Sequence, residues 1–223
     1  MKVLVTGSSR GLGAEIVKVF ASNGVDVIIN YNHSEKDAYK LADSIKNVNV
    51  EVIKCDISSE DEVKDMFDRI DHIDYLVNNA AISSDKDIMD KSGYEFNRVI
   101  HTNLTGTFLV TKYAINKMNK GSIVNISSTN AIDTYYPESI DYDASKAGVI
   151  SLTHNFVKYL PDFRVNCICP DWIDTDITNL MDEEYKKNIK FIKKEDLAKL
   201  VYKVCVSKDI NDQIIKVSGK DVR

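Results

Sequence analysis

The sequence predicts an α/β fold in which a doubly wound sheet of about seven parallel strands carries helices on both faces, and three observations predict it. Short apolar runs rich in β-branched residues alternate with segments of helical periodicity along the whole chain, the pattern of a parallel sheet wrapped by helices. A glycine-rich turn lies directly between the first apolar run and the first helical segment. No composition shift, low-complexity tract or linker interrupts the 223 residues, which points to a single domain over 1–223 with a sizeable core.

The candidate strands are Lys2 to Val5, Val25 to Tyr31, Val50 to Cys55, Ile73 to Val77, Ser122 to Ile126, Arg164 to Ile168 and Gln213 to Val217. Between them, Ala14, Val17 and Ala21 recur at helical spacing, as do Val149, Thr153, Phe156, Val157 and Leu160 before Pro161. Ligands of such folds bind at the carboxyl ends of the strands, so those ends carry the functional reading.

Bulk properties exclude several classes. The hydrophobic fraction of 43% is that of an ordinary globular protein, and a net charge of -5 without a basic stripe disfavours a grip on nucleic acid. The first residues, Met1 to Gly7, enter a strand-like run at once, with no apolar segment long enough for a signal peptide or membrane span, so a cytoplasmic protein without a membrane partner is expected. Cys55, Cys167, Cys169 and Cys205 lack a paired C-x-x-C spacing and read as buried thiols. Cys167 and Cys169 share a strand face as a metal pair would, but nothing nearby completes a ligand set, and no metal is expected.

The first strand end reads Thr6-Gly7-Ser8-Ser9-Arg10-Gly11-Leu12-Gly13. Glycines between a strand and a helix permit a tight turn and close approach of the backbone to a pyrophosphate, whose charge meets the free N-H groups of the helix start. The spacing, G-x-x-x-G-x-G, differs from the common dinucleotide fingerprint, and a plain glycine turn would look the same. Dinucleotide folds often place an acid after the second strand, yet here the strand ends Asn30-Tyr31-Asn32-His33-Ser34 with no carboxylate. Arg10 on the neighbouring turn suits a 2′-phosphate, which favours NADP(H) over NAD(H); a solvated surface arginine is the plainer account. His33 reads as a solvated loop histidine.

Asp56 follows the third strand, where it either accepts from an adenine amino group or caps the helix before Ser58 to Glu62. Asn78-Asn79-Ala80-Ala81 ends the fourth strand with small polar side chains. Asn103 interrupts a long helical pattern, either as a functional distortion or as a tolerated accident. Ser127 and Ser128 end the fifth strand, and Ser128 is either a turn serine or a hydroxyl that holds a substrate carbonyl. Tyr142 and Lys146 then stand four residues apart at a helix start, on one face, where an ammonium lowers the pKa of a phenol towards that of a working acid/base catalyst. The same spacing occurs by chance on solvated helices.

Taken together, the T-G-x-x-x-G-x-G turn, the N-N-A motif, Asn103, Ser128 and Y-x-x-x-K, in this order and at these spacings, resemble the short-chain dehydrogenase/reductase family over nearly the whole chain. The resemblance implies a Rossmann-type fold and an NAD(P)-dependent oxidoreductase. Among members, the segments Asn30 to Glu35, Leu76 to Ala80 and Tyr142 to Gly148 look most like the NADPH-dependent 3-oxoacyl-[acyl-carrier-protein] reductases of fatty acid biosynthesis. It implies a cofactor along Gly7, Ser9, Arg10, Gly11, Leu12 and Gly13, beside Tyr31, Asn32, Asp56 and Ile57, and past Asn79 and Ala80 to Tyr142, Lys146, Pro170, Ile173 and Thr175.

The resemblance further implies Tyr142 as general acid or base, Ser128 orienting the carbonyl, Lys146 binding the nicotinamide ribose and lowering the Tyr142 pKa, and Asn103 holding a water. A small-molecule or acyl-thioester carbonyl substrate and a homo-oligomer, dimer or tetramer, follow from it, with a sugar or alcohol dehydrogenase and a non-catalytic nucleotide sensor as the other classes on this fold. The chain departs from the family at Ala81 and Asp171, where glycines are usual, in a short loop after Thr175, and at Val217-Ser218-Gly219-Lys220, which lacks a second glycine.

Overall fold

Seven strands hydrogen-bond into one parallel sheet in the computed structural model, which describes residues 1–174, 184 and 189–219. They are β1 (Lys2–Val5), β2 (Asp26–Tyr31), β3 (Val50–Lys54), β4 (Tyr75–Asn78), β5 (Ser122–Ile126), β6 (Arg164–Pro170) and β7 (Ile214–Val217). The order across the sheet is β3-β2-β1-β4-β5-β6-β7 and every pairing is parallel. All seven coincide with runs read from the sequence. The largest differences are at β4, which starts two residues after the expected Ile73, and at β6, which runs on to Pro170.

The helices are α1 (Gly11–Ser22), α2 (Glu35–Ser44), α3 (Glu60–Asp68), α4 (Gly93–Ile100), α5 (Gly106–Ala114), α6 (Ile140–Tyr159) and α7 (Lys194–Val206). Pleating sends alternate residues of β1 to opposite faces. Val3 and Val5 pack with Ile16, Val17 and Phe20 of α1 and Val201 of α7, whereas Leu4 packs with Met66, Phe67, Val110 and Phe156 on the other side. Burial on both faces explains why β1 reads as continuously apolar. α6 stops at Tyr159 because Pro161 cannot continue it.

Between α4 and α5 the helix widens into a π turn at His101–Thr105, with Asn103 fully buried at its centre. Asn103 Nδ2 donates to Ile82 O at 2.8 Å and to Ser145 Oγ at 3.0 Å, while Oδ1 accepts Ile82 N at 2.8 Å. The asparagine that breaks the helical pattern therefore turns its side chain into tertiary bonds, and the helix bulges where it does so.

Strand order reverses between β1 and β4, since the chain runs outward from β1 through β2 and β3 and then returns to place β4 on its other side. At such a switch point the loops leaving the two strands part in opposite directions and open a crevice at the carboxyl end of the sheet. Every site residue predicted from the sequence within the described residues lies at or beside this edge.

Candidate functional site

The glycine turn forms the first wall of the crevice. Gly7 has φ +59°, a backbone region that favours glycine, and a Cβ there would stand 2.8 Å from Ala80 Cα. A Cβ on Gly13 would meet Gly7 O at 2.6 Å and Asn79 Nδ2 at 2.7 Å. Gly11 opens α1, and Arg10 at the N-cap provides no side-chain cap, so the first N-H groups of the helix are left for an incoming anion. No acid lies in the first turn.

Two polar side chains hold this wall in place, and neither was assigned a role from the sequence. Thr6 Oγ1 accepts Asn79 N at 3.0 Å and Ala80 N at 3.1 Å, while Asn79 Nδ2 donates back to Thr6 O and Gly7 O at 2.9 and 3.1 Å. Asn30 Oδ1 accepts Gly7 N at 3.0 Å, and its Nδ2 donates to Cys55 O at 3.1 Å, joining the ends of β2 and β3 to the turn. Their signal in the sequence is an uncharged hydrogen-bonding residue at the last positions of otherwise apolar strands.

Arg10 is exposed at one end of an open groove of about 410 Å³ between α1 and α2, which Ser9, Lys18, Asp37 and Lys40 also line. Lys18 is paired with Glu15 at 2.8 Å. Of the residues after β2, Asn32 stands close enough to Asp56 to lower its pKa, but the Tyr31 ring is buried beneath α2 with its hydroxyl donating to Glu35 Oε1 at 3.0 Å. Tyr31 therefore offers the crevice its backbone and not its side chain. Leu12 and Ile57 are likewise buried in the core, so they too meet the crevice through backbone.

Asp56 Oδ1 accepts Ser58 N at 2.9 Å and Ser58 Oγ at 2.6 Å. The cap of α3 is Ser59, whose hydroxyl accepts Glu62 N, so the capping alternative for Asp56 is corrected: it shapes the turn before the cap. Burial pushes its carboxyl up, but hydrogen bonds from Ser58 and Asn32, with the His33 charge, leave it below the usual carboxylate range.

On the other side of the crevice, the end of β5 and the start of α6 bring Ser128, Tyr142 and Lys146 together. Ser128 lies beside the Tyr142 phenol and draws its pKa down, while its hydroxyl donates to Asn130 Oδ1 at 3.1 Å, and Lys146 Nζ stands 5.5 Å from the centre of the Tyr142 ring. Lys146 is 3% exposed and donates to Ile126 O at 2.8 Å, and Ser127 Oγ donates to Lys146 O. Burial raises the Tyr142 phenol to about 12 against a downward pull from Ser128, and burial lowers the Lys146 ammonium to about 8. The expectation that Lys146 brings the phenol below its ordinary value is not met in this geometry, because desolvation of the phenol outweighs every attraction acting on it. At neutral pH the pair is a neutral phenol and a largely protonated amine, the state of a proton donor.

Pro170 closes β6, and Ile173 bridges to Ile192 beyond it. Thr175 lies outside the described residues. Asp171 N donates to Val217 O at 2.9 Å, and its Oδ1 accepts Trp172 N at 2.9 Å, so this carboxylate folds back on its own backbone. Ala81 is exposed. All four cysteines are free and buried, as read from the sequence, with Cys167 and Cys169 sulfurs 3.8 Å apart. Among the described residues no helix is long and apolar enough to cross a membrane.

The short chain dehydrogenase family matches residues 1–186. This chain belongs to the short-chain dehydrogenase/reductase family. It is 36% identical over 237 aligned residues to a 3-oxoacyl-[acyl-carrier-protein] reductase of Aquifex aeolicus, covering 97% of this chain and 95% of that protein. A reductase of the same description from Chlamydia pneumoniae is 37% identical over 196 residues, 83% of this chain and 78% of that one. The fold superposes on a short chain dehydrogenase from Burkholderia cenocepacia J2315, crystallised in complex with NADP, with a TM-score of 0.92 at 27% identity, over 97% and 96% of the two chains. As a family member the chain is an NAD(P)-dependent oxidoreductase. The cradle tests well for such a cofactor, because the uncapped α1 N-terminus and the contacts that exclude a Cβ from Gly7 and Gly13 leave backbone facing the crevice.

Gly13→Ala places its methyl against Gly7 O and Asn79 Nδ2, so it is expected to weaken NADPH binding by about tenfold or more and to cost about 1–3 kcal/mol of stability. Cofactor fluorescence titration and urea unfolding measure the two effects.

Proposed function

We propose that this protein is an NADPH-dependent carbonyl reductase, with a 3-oxoacyl thioester on acyl carrier protein as its substrate. The observation that carries this reading is the neutral Tyr142 phenol placed beside Ser128 and the buried Lys146 ammonium. The nicotinamide, when bound, supplies the hydride. The Ser128 hydroxyl donates to the substrate carbonyl oxygen and fixes it against the phenol. Tyr142 passes its proton to that oxygen as negative charge develops there. Lys146, charged and out of water, stabilises the resulting phenolate, since a buried ammonium acts strongly over a few ångströms. Asn103 has both amide hydrogens engaged by Ile82 and Ser145, so any water it holds sits on the remaining Oδ1 lone pair.

The preference for NADPH rests on Arg10 and on the absence of a carboxylate side chain at Tyr31 and Asn32; Lys40 on the same groove adds a second cation. The acyl thioester rests on the two bacterial reductases and their 36% and 37% identity.

Purified protein should oxidise NADPH in the presence of a member of a panel of 3-oxoacyl thioesters, diketones and quinones. Tyr142→Phe should lower that turnover by roughly 10²–10⁴-fold while NADPH affinity stays within about twofold, and a variant with equal activity would place the proton elsewhere. NADPH should bind more tightly than NADH, and Arg10→Ala should remove about tenfold of the difference; tighter NADH binding in the parent would defeat the cofactor assignment.

The pH dependence follows from Lys146. Its folded pKa, near 8, lies below its ordinary value, so the ammonium is present below that pH and is lost as pH rises through it. With Tyr142 protonated throughout this range, kcat/KM for reduction should be level below pH about 8 and decline above it. A profile flat well into the alkaline range would remove the charged lysine from the mechanism.

A further inference from the structure

We propose that Lys91 and Asp141 form a positioning pair that fixes the backbone of Tyr142. Lys91 Nζ lies 2.8 Å from Asp141 Oδ1, with the two side chains 3% and 0% exposed. The same Oδ1 accepts Tyr142 N at 2.9 Å, one of the first-turn N-H groups of α6 that no helical carbonyl can satisfy. Lys91 also donates to Ser84 O. One carboxylate oxygen thus ties the peptide N-H of Tyr142 to a cation anchored on the segment between β4 and α4.

That segment is already bonded to α6 on the far side of the tyrosine. Ser145 Oγ donates to Tyr142 O at 2.7 Å and accepts from Asn103, which grips both backbone groups of Ile82. Tyr142 is therefore held at its N-H by Asp141 and Lys91 and at its carbonyl by Ser145 and Asn103, with both tethers ending on residues 82–91. Asp143 does the same towards the β5–α6 loop, where it accepts Asn130 Nδ2 at 2.6 Å and Ser139 Oγ at 2.9 Å.

Folding alone does not explain a buried ion pair at this point. Desolvating two charges is expensive, and well-packed neutral residues of similar size commonly serve stability as well or better. Asp141 Oδ2 is buried without a hydrogen-bond partner, a further cost that a purely structural pair would avoid. What the charges add is a directional link between two elements that meet at the phenol.

The proposal rests on the reading of Tyr142 as proton donor, and its test separates the two. Asp141→Asn, Lys91→Met and the double variant are compared with the parent for thermal stability, NADPH affinity, KM and kcat. Each single variant leaves one buried group uncompensated and should lower Tm, while the double variant regains much of it. In all three, kcat should be down by about tenfold or more, with KM and NADPH affinity within about threefold, because a displaced phenol costs rate more than binding. A double variant whose kcat recovers together with its Tm would make the pair structural and overturn the proposal, as would single variants that fold and turn over normally.

A second readout needs no turnover. With tyrosine labelled at Cζ, the Tyr142 NMR signal, identified by its loss in Tyr142→Phe, should move or split in the double variant. An unmoved signal overturns the positioning role, whereas a signal that moves in the double variant while the parent reduces no carbonyl overturns the reductase reading alone.

Discussion

The clasp between the ends of β1 and β4 is the constraint on which the site depends. Both strands finish at the point where the sheet reverses its winding, and the loops that leave them separate at once. Four hydrogen bonds join Thr6 and Gly7 to Asn79 and Ala80 across that divergence, and Gly7 rests against Ala80 too closely for any other residue. Without the clasp the glycine turn has nothing to hold its carbonyls inward, and the first N-H groups of α1 lose their orientation towards the crevice. The glycine-turn end of the crevice is thus fixed by polar side chains on the sheet edge, with the loop supplying only backbone.

The other end of the site is fixed differently, by burial of ionisable groups. Lys146 lies beneath the sheet edge, bonded to the Ile126 carbonyl, and loses solvation that its neighbours restore only in part, which brings its ammonium to about 8. Tyr142, across from it, is pushed the other way by the same desolvation. Opposite displacements of an amine and a phenol in one environment are what a low-dielectric pocket imposes on both, since it penalises the ammonium and the phenolate alike. The consequence is that the phenol keeps its proton across the neutral range while the amine beside it stays largely charged.

Much of this was legible in the sequence because the governing patterns are local. Strand and helix periods located all seven strands, and Ala14, Val17 and Ala21 face the core of α1 as their spacing required. Asn103 announced itself as a break in helix propensity, and the π turn is the form the break takes. What stayed hidden involves partners far apart along the chain. Lys91 and Asp141 are 50 residues apart with nothing in either segment to signal the other, and Asn30 reads as one more strand residue until β3 is beside it. Tyr31 shows the converse limit: its place at a strand end suggested a cofactor contact, but strand alternation and α2 turned the ring inward. The Tyr142 pKa could not be read at all, because a four-residue spacing to Lys146 records proximity of charge and says nothing of desolvation.

The departure from the family at Asp171 takes on a physical meaning in the same terms. Asp171 has no positive φ, and its carboxylate is spent on the Trp172 amide, so the side chain tightens the turn after β6. That turn presents Trp172, whose indole N-H donates to the Tyr136 hydroxyl at 3.3 Å and whose ring meets that of Tyr136 edge-on at 5.7 Å. Tyr136 lies on the loop held by Asp143, the residue immediately after Tyr142. The aromatic pair therefore joins the end of β6 to the loop beside Ser128, and through Asp143 to the start of α6.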